Sequence, residues 1–79
     1  MATLPSDIQQ VRFTKTSWTQ SNAEAWLSSN GLISTDLVNT RLFYNFIQYP
    51  PDYSTQYYDA PYVSDPTIIF SLPSNITYP

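Results

Sequence analysis

The reactive residue types are sparse in this chain, and those present favour binding over catalysis. The sequence has 79 residues and contains neither histidine nor cysteine. Ser–His and Cys–His nucleophile systems are therefore excluded, as are the usual zinc, haem and iron–sulfur ligand sets. Glu24 and Asp36 could be considered an acid–base pair, but no sequence feature gives them the apolar surroundings that would separate their pKa values. We expect no enzymatic activity and no cofactor.

A short proline motif is the first candidate for binding chemistry. Residues Pro50-Pro51-Asp52-Tyr53 have the P-P-x-Y pattern of peptides that bind WW domains. Such peptides present a polyproline II segment to an aromatic groove, and the tyrosine enters a separate pocket. The structural alternative is a rigid turn that ends a strand, because proline cannot donate to a β-ladder. A match of four residues favours the turn and leaves WW binding as the second interpretation.

Tyrosine is the second candidate for partner contact. Six tyrosines fall between residue 49 and the end of the sequence, with few charged residues between them. Tyrosine brings a large contact area at low entropic cost and is enriched at protein interfaces. The alternative is that some of these rings cover the open face of the sheet within the monomer. We predict a partner-binding site formed by the following residues: Tyr49, Pro50, Pro51, Tyr53, Tyr57, Tyr58 and Tyr62.

Two other groups of residues could bind a metal ion or stack on a ligand, but the sequence argues against both interpretations. Asp52, Asp59 and Asp65 lie in one segment, but their spacing does not match an EF-hand loop and no glutamate completes the set. We therefore expect no metal site. Trp18 and Trp26 could stack on a ligand, but their positions relative to a helix start and its apolar stripe favour the core.

The charge of the chain limits its partners. Only three residues are basic, the formal net charge is −3, and 11% of residues are charged, compared with roughly 25% in ordinary proteins. Nucleic-acid binding requires Lys and Arg to neutralise phosphates, so we expect no nucleic-acid partner. The sequence lacks the run of about 18 apolar residues that spans a bilayer and the basic start of a signal peptide. We predict neither membrane insertion nor secretion through a signal peptide.

The first half of the sequence predicts a strand followed by a helix. Val11 and Phe13 alternate with polar residues, which indicates a half-buried strand over residues 9–16. Thr19 can cap a helix over residues 20–29, with Trp18 as a hydrophobic staple. A capping box that begins at Ser21 is the alternative start. Asn30-Gly31 then provides a left-handed helix end.

The second half predicts three strands and a loop. Residues 33–49 are rich in β-branched and aromatic types, and the polar pair at 39–40 divides them into strands 33–39 and 41–48. The Pro- and Tyr-rich residues 50–66 are predicted to be a long loop, and residues 67–72 a last strand. Strand three carries aromatic residues on both faces, so we expect one of its faces to contact a partner.

Together these elements predict one α+β domain. A short helix packs on a small antiparallel sheet of three to four strands, with extended arms at both ends. The predicted boundaries are an N-terminal arm at 1–8, a domain at 9–72 that includes the loop 50–66, and a C-terminal tail at 73–79.

The chain also resembles a small domain that recurs in tailed-phage and large DNA-virus proteins. The matching positions are Arg12-Phe13, Trp18-Thr19, Ala23-x-x-Trp26-Leu27-x-x-Asn30-Gly31-Leu32 and Val38-x-Thr40-x-x-x-Tyr44-x-Phe46-x-Gln48. In that group a strand leads to an A-x-x-W-L helix, an aromatic hairpin, a proline loop and a last hydrophobic strand. The family hairpin is usually basic and its last strand commonly ends in glycine, whereas here only Arg41 remains and Leu72-Pro73 takes that place. The resemblance implies a virus-associated module and carries over no catalytic residue.

Composition and resemblance lead to one functional expectation. A short core, long Pro/Tyr segments and a weakly charged surface fit a chain that becomes ordered within an assembly. We expect a structural protein of the virion, such as a minor-capsid, cement or decoration subunit that binds neighbouring capsid proteins in a large assembly. The alternative is an adaptor that presents its P-P-x-Y peptide to a WW-domain partner.

Overall fold

The computed structural model describes residues 4–78 as one helix on one five-stranded antiparallel sheet. The strand order across the sheet is β2-β3-β1-β5-β4, so the first strand lies at the centre. The α+β class is confirmed, with five strands where three to four were predicted. The elements are β1 (Gln10–Thr14), α1 (Gln20–Ser29), β2 (Leu37–Asn39), β3 (Phe43–Ile47), β4 (Tyr57–Tyr62) and β5 (Asp65–Pro73).

Helix α1 has the predicted bounds because both of its ends are capped. The Thr19 side chain accepts a hydrogen bond from the Asn22 N–H at 3.2 Å, which makes Thr19 the N-cap rather than Ser21. At the other end, Gly31 has φ +72°. The Leu32 N–H donates to the Leu27 carbonyl at 2.9 Å, and the Gly31 N–H donates to the Ser28 carbonyl. These two bonds form a Schellman motif, which needs a residue that tolerates the left-handed conformation.

The predicted second strand is mostly a connection. Strand β2 has three residues, and residues 33–36 lie outside the sheet. The Gln48 side chain pairs with the backbone of Ile33 instead: its amide accepts from the Ile33 N–H at 2.8 Å and donates to the Ile33 carbonyl at 2.9 Å. This side chain satisfies the polar groups that a neighbouring strand would otherwise have paired.

The prediction of an irregular loop over residues 50–66 is wrong for most of its second half. Residues 57–62 form β4, and β5 begins at Asp65 after a turn at residues 63–64. Strand β4 is at the edge of the sheet, where proline at position 61 is tolerated because one side of the strand has no ladder partner. Pro66 lies before the residues of β5 that pair with β1, so its missing N–H breaks no bond of that ladder.

The core lies between α1 and one face of the sheet, which we call the covered face. Val11 and Phe13 from β1 point into it, together with Phe46 from β3. Strand β5 contributes Ile68, Phe70 and Leu72, and the helix contributes Ala23 and Leu27. Phe13 is the centre of this packing, since its ring meets Trp18, Trp26 and Phe46 edge to face at 5.0, 5.8 and 5.7 Å.

The predicted arms pack against the domain over their described residues. Leu4 and the buried Ile8 pack on the core from the N-terminal side, while residues 1–3 lie outside the described residues. On the C-terminal side, Ile76 and Tyr78 also pack on the core. Tyr58 donates its hydroxyl to the Ile76 carbonyl at 2.6 Å. Both segments therefore contribute to the chain's own fold.

No helix within residues 4–78 has the length and apolar character needed to cross a membrane.

Candidate protein-binding site

The most exposed part of the predicted site is a tight turn at residues 52–55. Asp52 accepts four hydrogen bonds within this turn. Its carbonyl accepts from the Thr55 N–H at 2.9 Å, and its carboxylate accepts from the Ser54 N–H at 2.9 Å, the Ser54 hydroxyl at 2.7 Å and the Thr55 hydroxyl at 3.2 Å. Such Asp-capped turns fix the backbone locally. Tyr53 lies inside the turn with 97% of its surface exposed, so a fixed backbone presents a whole phenol ring to solvent.

The base of this turn is attached to the sheet by two tyrosines. The Tyr57 hydroxyl accepts from the Asp52 N–H at 3.0 Å. The Tyr49 hydroxyl donates to the Asp7 carbonyl at 3.1 Å, and the Gln9 side-chain amide donates to the Tyr49 carbonyl at 3.0 Å. We call residues 49–57 the Tyr53 loop. It lies at the end of the sheet where β1 begins, held by both the N-terminal segment and β4.

The ionisable groups of the Tyr53 loop respond to these contacts. Burial raises the pKa of Tyr49 above 10.0, and the nearby Tyr57 phenol and the Asp7 charge raise it further. The hydrogen bonds from Ser54, and then from Thr55, lower the pKa of Asp52 below its ordinary 3.8. Near neutral pH the Tyr49 phenol is therefore neutral and the Asp52 carboxylate is ionised.

The structure divides the predicted site residues into two groups. Tyr49, Pro50, Pro51, Tyr53 and Tyr57 belong to the Tyr53 loop. Tyr58 and Tyr62 instead point to the covered face and pack on the core. The Tyr62 ring meets Trp26 at 5.9 Å and Phe70 at 5.4 Å. These two tyrosines pack within the monomer, but on the covered face rather than on the open face that the alternative named.

The face of the sheet away from α1, which we call the open face, is held together by polar pairs. Arg12 donates to Asn45 Oδ1 at 2.9 Å and to Asp59 Oδ2 at 3.1 Å, and its guanidinium lies 4.3 Å from the Phe43 ring centroid. Gln10 donates to the Ser71 hydroxyl at 3.1 Å. Asn45 and Ser71 are buried although no helix covers them. The polar groups of the open face are thus largely satisfied within the chain.

The three aspartates considered for calcium have separate roles. Asp52 caps the turn, Asp59 pairs with Arg12, and Asp65 accepts hydrogen bonds from the Thr67 N–H and hydroxyl at 3.1 and 2.5 Å. Within residues 4–78, no group of three or more acidic side chains lies close enough to hold a metal ion.

A groove that sequence reasoning missed lies at the other end of the molecule. It runs between α1 and the start of β5, has a volume of about 550 Å³, and is lined by Trp18, Trp26 and Asp65 among others. The two tryptophans do pack on the core, as predicted, but each is only partly buried and also faces this groove. Nothing in the sequence indicated that Asp65, which is distant along the chain, would lie beside Trp18 and Trp26.

Comparisons of the chain with family models, with curated proteins and with solved structures find no match.

Proposed function

We propose that the chain is a small structural subunit of a virus particle that binds a neighbouring coat protein through the Tyr53 loop. The observation that carries the proposal is the Tyr53 side chain, 97% exposed on a turn closed by Asp52. A fixed turn loses little conformational entropy when it is bound, so its aromatic ring is a preorganised anchor. Aromatic anchors of this kind provide much of the energy of protein interfaces.

The surroundings of Tyr53 support an interface with protein. Pro50 and Pro51 are exposed beside it, and no lysine or arginine occurs between Arg41 and the end of the sequence. Charged residues are depleted at interface cores, while tyrosine is enriched there. The Tyr53 loop therefore has the residue types that are typical of the buried core of a protein interface, although the loop is exposed in this chain.

The particle context is supported by composition and by the resemblance described above. A surface with few charges and many hydroxyl and amide groups suits a permanent neighbour better than a high free concentration in solution. That resemblance rests on the A-x-x-W-L helix and the aromatic hairpin. Because the described parts of both predicted arms pack on the core, the proposal gives the role of contact to one loop rather than to long arms.

The proposal is tested by photo-crosslinking in cells that assemble the particle. A benzophenone amino acid at position 53 should crosslink the chain to a coat protein, and mass spectrometry of purified particles should find the chain at a fixed stoichiometry. The same amino acid at Leu42 is the matched control, because Leu42 is also exposed (62%) and lies at the opposite end of β1, where its carbonyl accepts from Lys15. Absence of the chain from purified particles would refute the proposal, as would equal crosslinking from both positions.

One observation favours the adaptor as a second candidate. Pro50, Pro51 and Tyr53 are all exposed and lie outside any strand or helix, as a P-P-x-Y ligand of a WW domain requires. A titration of the full chain with a WW domain up to about 100 μM tests this candidate, because a dissociation constant at or below that concentration gives measurable saturation. Pro51→Ala should abolish WW binding while leaving the Tyr53 crosslink to coat protein intact. No heat of binding at that concentration would remove the adaptor.

A further inference from the structure

The groove between α1 and the start of β5 is built from side chains that are held in place. The Trp18 indole N–H donates to the Thr67 hydroxyl at 2.8 Å, and that hydroxyl donates to Asp65 Oδ1 at 2.5 Å. Edge-to-face contacts with Phe13 fix the buried sides of Trp18 and Trp26. The groove thus presents two anchored indoles and one oriented carboxylate.

The charge of the groove is unbalanced. Within residues 4–78 the one ion pair joins Arg12 to Asp59, and no lysine or arginine lines the groove. The Asp65 carboxylate is oriented by Thr67 through one of its oxygens, and no basic side chain neutralises it. A phosphate or another anion would be repelled here, whereas a cation would supply the missing partner.

Aromatic rings beside a carboxylate are the arrangement that binds organic cations. An ammonium or guanidinium group near an indole face is attracted by the ring quadrupole, and more strongly when part of its hydration is removed. The Asn22 side chain at the rim adds a neutral amide for a hydrogen bond. A volume of about 550 Å³ is within the range of small-molecule sites and holds an alkylammonium ion or a basic side chain.

We propose that this groove binds an organic cation of the ammonium or guanidinium type. The Asp65 carboxylate balances the charge of the cation, and Trp18 and Trp26 contact its alkyl or planar surface. The groove lies at the end of the sheet away from the Tyr53 loop, so this inference does not depend on the proposed function of that loop.

The test uses the fluorescence of the full chain, because its only two tryptophans, Trp18 and Trp26, both line the groove. Tetramethylammonium chloride should change this fluorescence in a saturable way, with a dissociation constant on the order of 10 mM. Sodium chloride at equal ionic strength and methyl glucoside are the controls for salt and for a neutral ligand. A response to methyl glucoside equal to that for tetramethylammonium would overturn the proposal, as would a response no larger than that to sodium chloride.

Two variants localise the binding. Asp65→Asn keeps an oxygen acceptor for Thr67 but removes the charge, and should weaken the affinity about tenfold or more. Asp36→Asn removes one carboxylate from an exposed position outside the groove and should leave the affinity unchanged. Equal affinities for the two variants would overturn the proposal.

A third variant tests the proposal even if Asp65→Asn destabilises the hairpin of β4 and β5. Ala25 is an exposed helix position that lines the groove, and lysine is a good helix former. Ala25→Lys should place a tethered ammonium beside Asp65 and weaken tetramethylammonium binding several-fold, whereas Ala25→Gln, of similar size and neutral, should retain most of it. If both variants bind equally, the carboxylate does not select for charge and the proposal fails.

Discussion

The two faces of the sheet are stabilised in different ways, although the same strands form both. On the covered face, Phe13, Phe46 and Phe70 are fully buried and pack through contact area. On the open face, Asn45 and Ser71 are buried polar residues that accept hydrogen bonds from Arg12 and Gln10. Alternation along each strand permits this division, because neighbouring residues point to opposite faces.

The difference bears on where a partner can bind. Covering a face whose polar groups already pair within the chain adds little binding free energy. A partner that bonds to these groups must first displace their existing hydrogen bonds. A protruding side chain that makes no contact within its own chain stabilises a complex through all of the apolar area that the partner buries. The comparison therefore favours the Tyr53 loop over the open face as the place of the proposed contact.

The largest expected difference between the two faces is tested with two adjacent residues of β5. Phe70 points to the covered face and is fully buried, whereas Ile69 points to the open face and is half-buried. Phe70→Ala should lower the free energy of unfolding by about 3–5 kcal/mol, because it leaves a cavity among aromatic rings. Ile69→Ala should cost less than half as much. Urea denaturation measures both, and equal losses would mean that the faces are not distinct.

A buried amide on the open face should show the next largest effect. Asn45 is 5% exposed, accepts from Arg12, and donates to the Val38 carbonyl at 3.1 Å. Asn45→Ala should cost about 1–3 kcal/mol, because it removes the hydrogen bonds of the amide and leaves partly buried polar groups unpaired. Asn39→Ala is the control, since Asn39 is exposed and its partner is the Lys15 ammonium. Similar losses for the two variants would argue against a pairing network on the open face.

The ion pair of the open face should contribute less. Arg12 and Asp59 are 3.1 Å apart, and their side chains are 26% and 59% exposed, so solvent and salt screen the attraction. Asp59→Asn should lower the free energy of unfolding by less than about 1 kcal/mol, and the loss should shrink further in high salt. Urea midpoints at low and high sodium chloride provide the measurement. A larger loss that salt does not reduce would place this pair among the principal contacts of the fold.

The smallest expected effect is a local response to pH in the Tyr53 loop, which Tyr57 attaches to the open-face side of β4. Since the folded-state pKa of Asp52 lies below 3.8, the ionised form stabilises the turn above that ordinary value. This stabilisation is lost as the pH falls through the lowered pKa. NMR titration of the Asp52 carboxyl and the Tyr53 amide should show this step.

A matched pair of variants assigns the cause of the Asp52 shift. Ser54→Ala removes the hydroxyl that lowers the pKa most and should return it toward 3.8. Ser64→Ala, in the turn between β4 and β5, should leave it unchanged. An Asp52 pKa that does not move in Ser54→Ala would show that the hydroxyl does not hold the carboxylate.

The parts of the fold that the sequence predicts are those with local signals. Thr19 and Asn30-Gly31 determine the ends of α1 because capping bonds form within a few residues. Strand β1 is visible from its strict alternation. In both cases the determining residues are neighbours in the chain.

The parts that were missed depend on contacts between distant residues. Tyr58, Ala60 and Tyr62 do alternate inward, but proline at 61 and 66 concealed this pattern, and the turn at 63–64 has no glycine or asparagine to indicate a hairpin. Prolines are acceptable there because β4 is at the edge, and edge position follows from the whole sheet. The groove was missed for the same reason, since Asp65 meets the tryptophans only after β5 has paired with β1.

The central position of the first strand has a consequence for the order of folding. Strand β1 pairs with β3 on one side and with β5 on the other, so its partners are separated from it by tens of residues of chain. Loop closure over such distances is slow and must precede most of the favourable contacts. A nascent chain that has not yet released residues 65–73 from the ribosome lacks the strand that completes its centre. We therefore expect the domain to fold in a single late step, with Phe13 and its neighbours accessible to chaperones until that step.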